Sequence, residues 1–190
     1  MQRNRISLFV HPFFLTSVLF SAAAFAELLD TTLPADFPAI KNDYLGVPVI
    51  GFGSRGRVDR IPVIFLPGNN DTPFPTACNR FGYIHNAAQY FLDHGYKPSE
   101  LWGLGYQGDQ CDLPTEITRK SGVAHSTAAA VPLIRAFVHA VLEYTGAPSI
   151  DLVGQGQYDL VLGTSHLGIV NSPQTWQSAL EFLSKRPGAQ

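Results

Sequence analysis

An excess of positive charge is the first thing this sequence lacks. Thirteen Lys and Arg stand against 15 Asp and Glu, a formal net charge of −2. With no basic face to offset phosphates, the chain has no signature of a nucleic-acid partner. Cysteine is scarce, with two residues in 190, and their spacing fits no zinc pattern. HExxH and paired histidines are also missing, so the sequence assigns no metal and no other cofactor. Internal repeats and low-complexity tracts are absent, as is any signal of oligomeric state. What is left, 45% hydrophobic and 15% charged, is an ordinary composition with room for one domain.

Long apolar runs are missing too, except at the start. Arg3 and Arg5 precede the apolar run Ile6 to Phe20, and Ala24-Phe25-Ala26 follows as a small-x-small pattern. That is the layout of a secretory signal peptide over residues 1–26, leaving 27–190 as the mature domain with no integral span. An uncleaved anchor is the alternative, since Ile6 to Ala26 is nearly long enough to cross a bilayer. His11-Pro12 inside the run and its Ala-rich end favour cleavage. Outside the reducing cytosol, the even pair Cys78 and Cys111 reads as a disulfide rather than two free thiols. Closing a loop of that length is worth on the order of 3–4 kcal/mol.

The chain is organised around IPVIFLPGNND, Ile61 to Asp71. A short, uniformly apolar run ended by Pro67-Gly68 reads as a buried central strand. The polar turn after it lies at the strand's carboxyl end, where open α/β sheets bind ligands. Before it, Glu27 to Asn42 reads as an extended lead-in across the surface. VPVIGFGSRGRVDRIPVIFL reads as strand, hairpin-like glycine turn, strand. The turn formally matches GxGxxG from Gly51 to Gly56, but no helix follows, so no nucleotide site is assigned. Asn69 to Arg80 is a loop, and Phe81 to His94 has helical spacing that Gly95 stops. Leu101 to Tyr106 is a short strand that Gly103 and Gly105 weaken, and Gln107 to Val123 is a polar surface excursion.

Ile134, Phe137, Val138, Val141 and Leu142 then form a helical stripe. Ser126 or Thr127 serves as its cap, Pro132 fits only near the first turn, and Gly146 and Pro148 end it. Ser149 to Gly154 and Tyr158 to Gly163 follow as strands. Pro173 to Leu183 is a last helix with Trp176, Ala179, Leu180 and Leu183 on one side. Alternating strands and helices predict a mostly parallel α/β sheet flanked by helices.

The order of strand, LPGNN turn, cysteine-bearing loop, long helix and SIDLVG resembles the secreted lipase and esterase branch of the α/β-hydrolase fold. It is similar in particular to class 2 lipases and to lipase-type polyhydroxyalkanoate depolymerases. TSHLGIVNSPQTW resembles the segment of such enzymes that carries the catalytic histidine. The resemblance implies a carboxylic ester hydrolase acting on an ester, lipid or polyester through an acyl-enzyme. It implies that backbone N–H groups at Gly68 and Asn69 form an oxyanion turn, with Pro67 where His is usual, and that His166 is the general base.

The nucleophile departs from that pattern. A G-x-S-x-G elbow should follow SIDLVG, yet the chain reads Gly154-Gln155-Gly156-Gln157-Tyr158, with Gly156 where serine belongs. The chain then runs almost directly into Tyr158 to Gly163, as if the middle of the domain were missing there. Ser165 after that strand is the substitute nucleophile, although the second glycine comes one place late. Ser126, beside His125, reads as a helix cap. Asp159 is the candidate acid to orient His166, or else a strand-end residue in solvent. His166 itself is otherwise an ordinary loop histidine, and Asn69 and Asn70 ordinary turn residues. Asn70-Asp71-Thr72 is also a glycosylation sequon, followed at once by Pro73. The expectation is thus a truncated hydrolase, inactive as written. The alternative is a non-catalytic secreted binding protein on a degenerate hydrolase fold.

Export gives the first testable outcome. N-terminal sequencing of secreted material should begin at Glu27. Protein held in the membrane with Ile6 to Phe20 intact would overturn the cleaved leader.

Overall fold

The computed structural model describes residues 28–43, 45–68, 71–111, 127–154 and 172–185. Four strands form the main sheet: β3 (Ile50–Phe52), β4 (Val63–Leu66), β5 (Leu101–Gly105) and β6 (Asp151–Gly154), after a two-stranded ribbon of β1 (Lys41–Asn42) and β2 (Val47–Pro48). Their order is β3-β5-β4-β6, with β4 parallel to both neighbours and β3 antiparallel to β5. Among the described residues, helices α1 (Ile84–Asp93), α2 (Thr127–Thr145) and α3 (Pro173–Ser184) accompany the sheet, with a 3-10 turn at Pro98–Glu100. This is the expected mostly parallel α/β sheet flanked by helices.

The uniform apolarity of β4 follows from its place: it is the inner strand between β5 and β6, and both faces are covered. Val63 and Phe65 point into one core with Ala88 and Phe91 of α1 and Leu183 of α3. Ile64 points the other way, with Trp102, Leu104, Phe137 and Val141 against α2. The stripe read on α2 is therefore its buried face, with Leu142 at its half-buried margin. Trp176, Ala179 and Leu180 of α3 likewise pack on the first core.

Helix α1 ends as Gly95 predicts. Gly95 takes a left-handed φ of 90°. Its N–H donates to the Leu92 carbonyl at 3.0 Å, and the Tyr96 N–H to the Phe91 carbonyl at 3.1 Å. The Tyr96 ring then closes on Phe91, 5.2 Å between centroids. This paired 6→1 and 5→2 pattern with its apolar contact returns the chain toward β5.

Several local expectations are corrected. β3 and β4 are not a hairpin, because β5 lies between them. The intervening chain is instead held across the sheet by buried Glu100, whose carboxylate accepts the backbone N–H groups of Asp59 (2.6 Å), Arg60 (2.9 Å) and Lys97 (2.8 Å). The lead-in does more than cross the surface, since Leu29 and Phe37 are buried. Phe37 fills the end of the α2 core against Trp102, Phe137 and Tyr144, with centroids 5.2–5.5 Å apart. Gln107, taken for the start of a polar excursion, is buried as well. Pro132 sits in the second turn of α2, at an exposed position.

Gly103 strengthens β5 rather than weakening it. The Phe52 ring lies where a Cβ at Gly103 would stand, so the close pairing of β3 with β5 depends on its absence. Gly103→Ala should cost about 1–3 kcal/mol through overpacking, read as a lower urea midpoint with an unchanged slope. An unchanged midpoint would contradict the close approach.

Candidate functional site

The connections decide where a site can form. From β4 the chain crosses through α1 on one face of the sheet, and from β5 through α2 on the other. Neighbouring parallel strands whose connections leave to opposite faces open a crevice at their carboxyl ends. Here that end carries the turn after β4, the Tyr106–Cys111 segment after β5 and the exit of β6. Leu66 pairs in register with Gly154, so the chain leaves β4 and β6 side by side.

Pro67 is buried and Gly68 half-buried. The Gly68 carbonyl accepts the Asp71 N–H at 3.2 Å. Beyond it, Thr72 is fully buried, its hydroxyl reaching the carbonyls of Phe74 (2.8 Å) and Phe81 (3.0 Å). Asp71 Oδ1 accepts the Thr72 N–H at 2.8 Å and the Asn79 side-chain amide at 3.2 Å. Thr76 Oγ1 donates to the Asp109 carbonyl at 2.9 Å and accepts the Asn79 N–H at 3.0 Å. Cys78 and Cys111 are bonded, Cα atoms 5.1 Å apart, as the sequence expects. The two loops are thus joined covalently and by hydrogen bonds.

Burial raises the Asp71 pKa above its ordinary value, partly offset by the Thr72 N–H and the Asn79 amide. Tyr106, buried at the end of β5, has its pKa raised by burial and further by the charge on Asp71. The His85 pKa is lowered, chiefly by burial. Its ring stands edge-on to Phe52 at 5.0 Å and its Nε2 is 3.3 Å from the Asp30 carbonyl, so it serves packing on the α1 side. A cavity of about 460 Å³ lies elsewhere, lined by Asp36, Arg55 and Tyr144 among others. Arg55 donates to Asp36 and to the Tyr144 hydroxyl, and that hydroxyl donates to Asp36, so these groups satisfy one another and strap the lead-in to α2.

Of the expected site residues, Gly68 and the two cysteines stand together around the end of β4. Asn69, Gly156, Asp159, Ser165 and His166 lie outside the described residues, as do Ser126 and the expected strand Tyr158 to Gly163. Asp71, Thr72, Thr76 and Asn79 were not read as site residues. Their signal was a density of Asx and Thr beside a glycine turn, which is how side chains satisfy irregular backbone. Among the described residues, no group of three His, Cys, Asp or Glu could hold a metal ion, and no helix is long and apolar enough to cross a membrane.

Asp71 makes a signed prediction. A carboxyl whose folded-state pKa is raised contributes stability that is complete below its ordinary 3.8 and is lost as pH rises through the folded value. Asp71→Asn keeps the Oδ1 acceptor and removes the charge. It should therefore exceed the parent in urea stability at pH 7 and lose that advantage toward pH 3.8. A parent that is the more stable chain at pH 7 would contradict the burial argument.

The model of the family described as Lipase (class 2) matches residues 60–158, just over half of the chain. No curated protein matches it. The matched stretch runs from three residues before β4 through α1, β5 and α2 to four residues past β6, and so contains the carboxyl ends of β4 and β6. By that match the chain belongs to the class 2 lipase family, an α/β-hydrolase lineage of lipases and esterases.

Proposed function

We propose that the chain derives from a secreted carboxylic ester hydrolase working through a serine acyl-enzyme, and that as written it turns over no ester. The observation that carries this reading is the register of β4 with β6. An acyl-enzyme needs oxyanion donors and a nucleophile about 3 Å from one reacting carbon. The Gly68 turn and the exit at Gly154 leave adjacent strands at the same level. In this reading the N–H groups at Gly68 and Asn69 meet the developing oxyanion, and His166 takes the proton from the attacking hydroxyl. Asp159 is the candidate to orient His166.

The missing part is the hydroxyl. Gly156 occupies the place of the elbow serine and offers no nucleophile. A triad without its nucleophile retains only the residual catalysis of positioning and oxyanion binding. The leader pattern of residues 1–26 and the Cys78–Cys111 bond both support an oxidising, extracellular location. The domain that follows is read as incomplete between about Gly154 and Tyr158. Its substrate class is an ester of a lipid or polyester.

The assay is hydrolysis of short-chain and long-chain p-nitrophenyl esters, with fluorophosphonate labelling alongside. Hydrolysis should not exceed the residual rate that positioning and oxyanion binding leave, and labelling should be absent. Robust hydrolysis that survives His166→Ala would overturn both the silence and the assigned base. Hydrolysis that is lost in Ser165→Ala would move the nucleophile to Ser165. Tight ligand binding without turnover would favour the binding-protein reading.

A further inference from the structure

The end of the sheet away from the crevice holds a second concavity. β3 runs antiparallel to β5, so the chain leaving β3 arrives at the amino end of β5. There the Ser99 hydroxyl donates to the Arg57 carbonyl at 2.9 Å and ties down the segment that follows β3. The last turn of α2 meets this segment through the bond from Arg55 to Tyr144. Between them lies the cavity of about 460 Å³, lined by Asp36, Pro38, Arg55, Ala140, Glu143 and Tyr144 among others.

The charges on this cavity are only partly matched. Arg55 donates from Nη2 to Asp36 and from Nε to the Tyr144 hydroxyl at 3.2 Å, and its guanidinium carbon stands 5.4 Å from the centre of the Tyr144 ring. Tyr144 is braced in turn by Phe37 and Trp102, at 5.5 and 5.7 Å between centroids. Arg55 and Asp36 thus cancel in charge, and the guanidinium is held in one orientation. Its Nη1 donors have no acceptor among the described residues. Glu143 is exposed on the same cavity and has no ion pair or hydrogen bond among the described residues. It stands in the last turn of α2, which carries no basic residue. The carbonyl end of a helix disfavours a carboxylate and favours a cation. The place of Glu143 is therefore short of one positive charge.

We infer that this cavity binds a small zwitterion, with the ligand ammonium on the Glu143 carboxylate and the ligand carboxylate on the Nη1 donors of Arg55. The cavity offers an anion and a cation that do not pair with each other, and a ligand bearing both charges satisfies both through charge-assisted bonds. An amine alone would face the Arg55 charge with nothing to offset it, and an acid alone would face that of Glu143 in the same way. Pro38 and Ala140 add apolar wall, so an amino acid with an apolar side chain matches the lining. The volume lies in the range of small-ligand sites. The site stands apart from the crevice and takes no part in the hydrolase reading.

Leucine is the probe. Backbone amide shifts of the full chain are followed at residues 55, 56, 143 and 144 as leucine is added. The same titration is run with 3-methylbutylamine, which is leucine without its carboxylate, and with 4-methylpentanoate, which lacks the ammonium. Leucine is expected to give saturable shifts at these amides, with a Kd at least tenfold below that of either analogue. Glu143→Gln, at an exposed position without a partner, should keep the parent urea midpoint. It should weaken leucine at least tenfold and 4-methylpentanoate less than threefold.

No saturable shift with leucine up to its solubility would overturn the site. So would an analogue that binds as tightly as leucine, or a leucine affinity that Glu143→Gln leaves unchanged. Shifts confined to the carboxyl ends of β4 and β6 would put the ligand in the crevice and overturn it as well. If Glu143→Gln does not fold, the order of the three probes on the parent decides alone. No ester enters the measurement, so its failure leaves the hydrolase reading standing.

Discussion

Burial of β4 on both faces is the constraint from which the rest of this architecture follows. Val63, Ile64 and Phe65 are fully inaccessible to water, and each such side chain contributes about 1.5–3 kcal/mol relative to exposure. A strand with two covered faces needs helices on both, and here α1 with α3 takes one side and α2 the other. It also leaves no polar function along the strand. Chemistry can begin only where the strand stops, at Pro67-Gly68, and that end lies beside the exits of β5 and β6.

What stands at that end is irregular backbone, and irregular backbone must find hydrogen-bond partners. The loops meet this need with Thr72, Thr76, Asn79 and Asp71, whose short polar side chains replace the ladder that a sheet would supply. The Cys78–Cys111 bond joins residues 33 apart and limits the freedom of the unfolded chain. Two small loops without a core of their own are thereby held in one arrangement. The cost is seen at Asp71, a carboxyl whose ionisation is opposed by burial.

Much of the fold was legible because its signals are local and periodic. The apolar run of β4, the stripe of α2 and the stop at Gly95 each follow from spacing and turn chemistry within a dozen residues. What was not legible depended on distance. The hairpin expectation failed because β5, later in the chain, pairs between β3 and β4, with Glu100, 40 residues from Arg60, binding the chain that leads into β4. Gly103 looked like a weak point because its value lies in the Phe52 ring packed on it from another strand. Phe37 looked exposed because the gap it fills is formed by Trp102, Phe137 and Tyr144. The site was legible in part. Gly68 and the cysteines could be read from motif and compartment, whereas the Asn79–Asp71 contact joins two loop residues with no periodic signature. The family match covers the stretch with the strongest local signals, β4 through β6.

The central claim is that the turn after β4 and the exit of β6 are neighbours because the two strands are paired in parallel register. Nuclear Overhauser contacts between backbone protons in the full-length chain test it most directly. The account predicts cross-strand contacts in the parallel pattern for Val63 with Asp151 and Phe65 with Val153, extending to Leu66 with Gly154. Backbone contacts of β4 with β5 alone, with Asp151 to Gly154 showing none to β4, would contradict it.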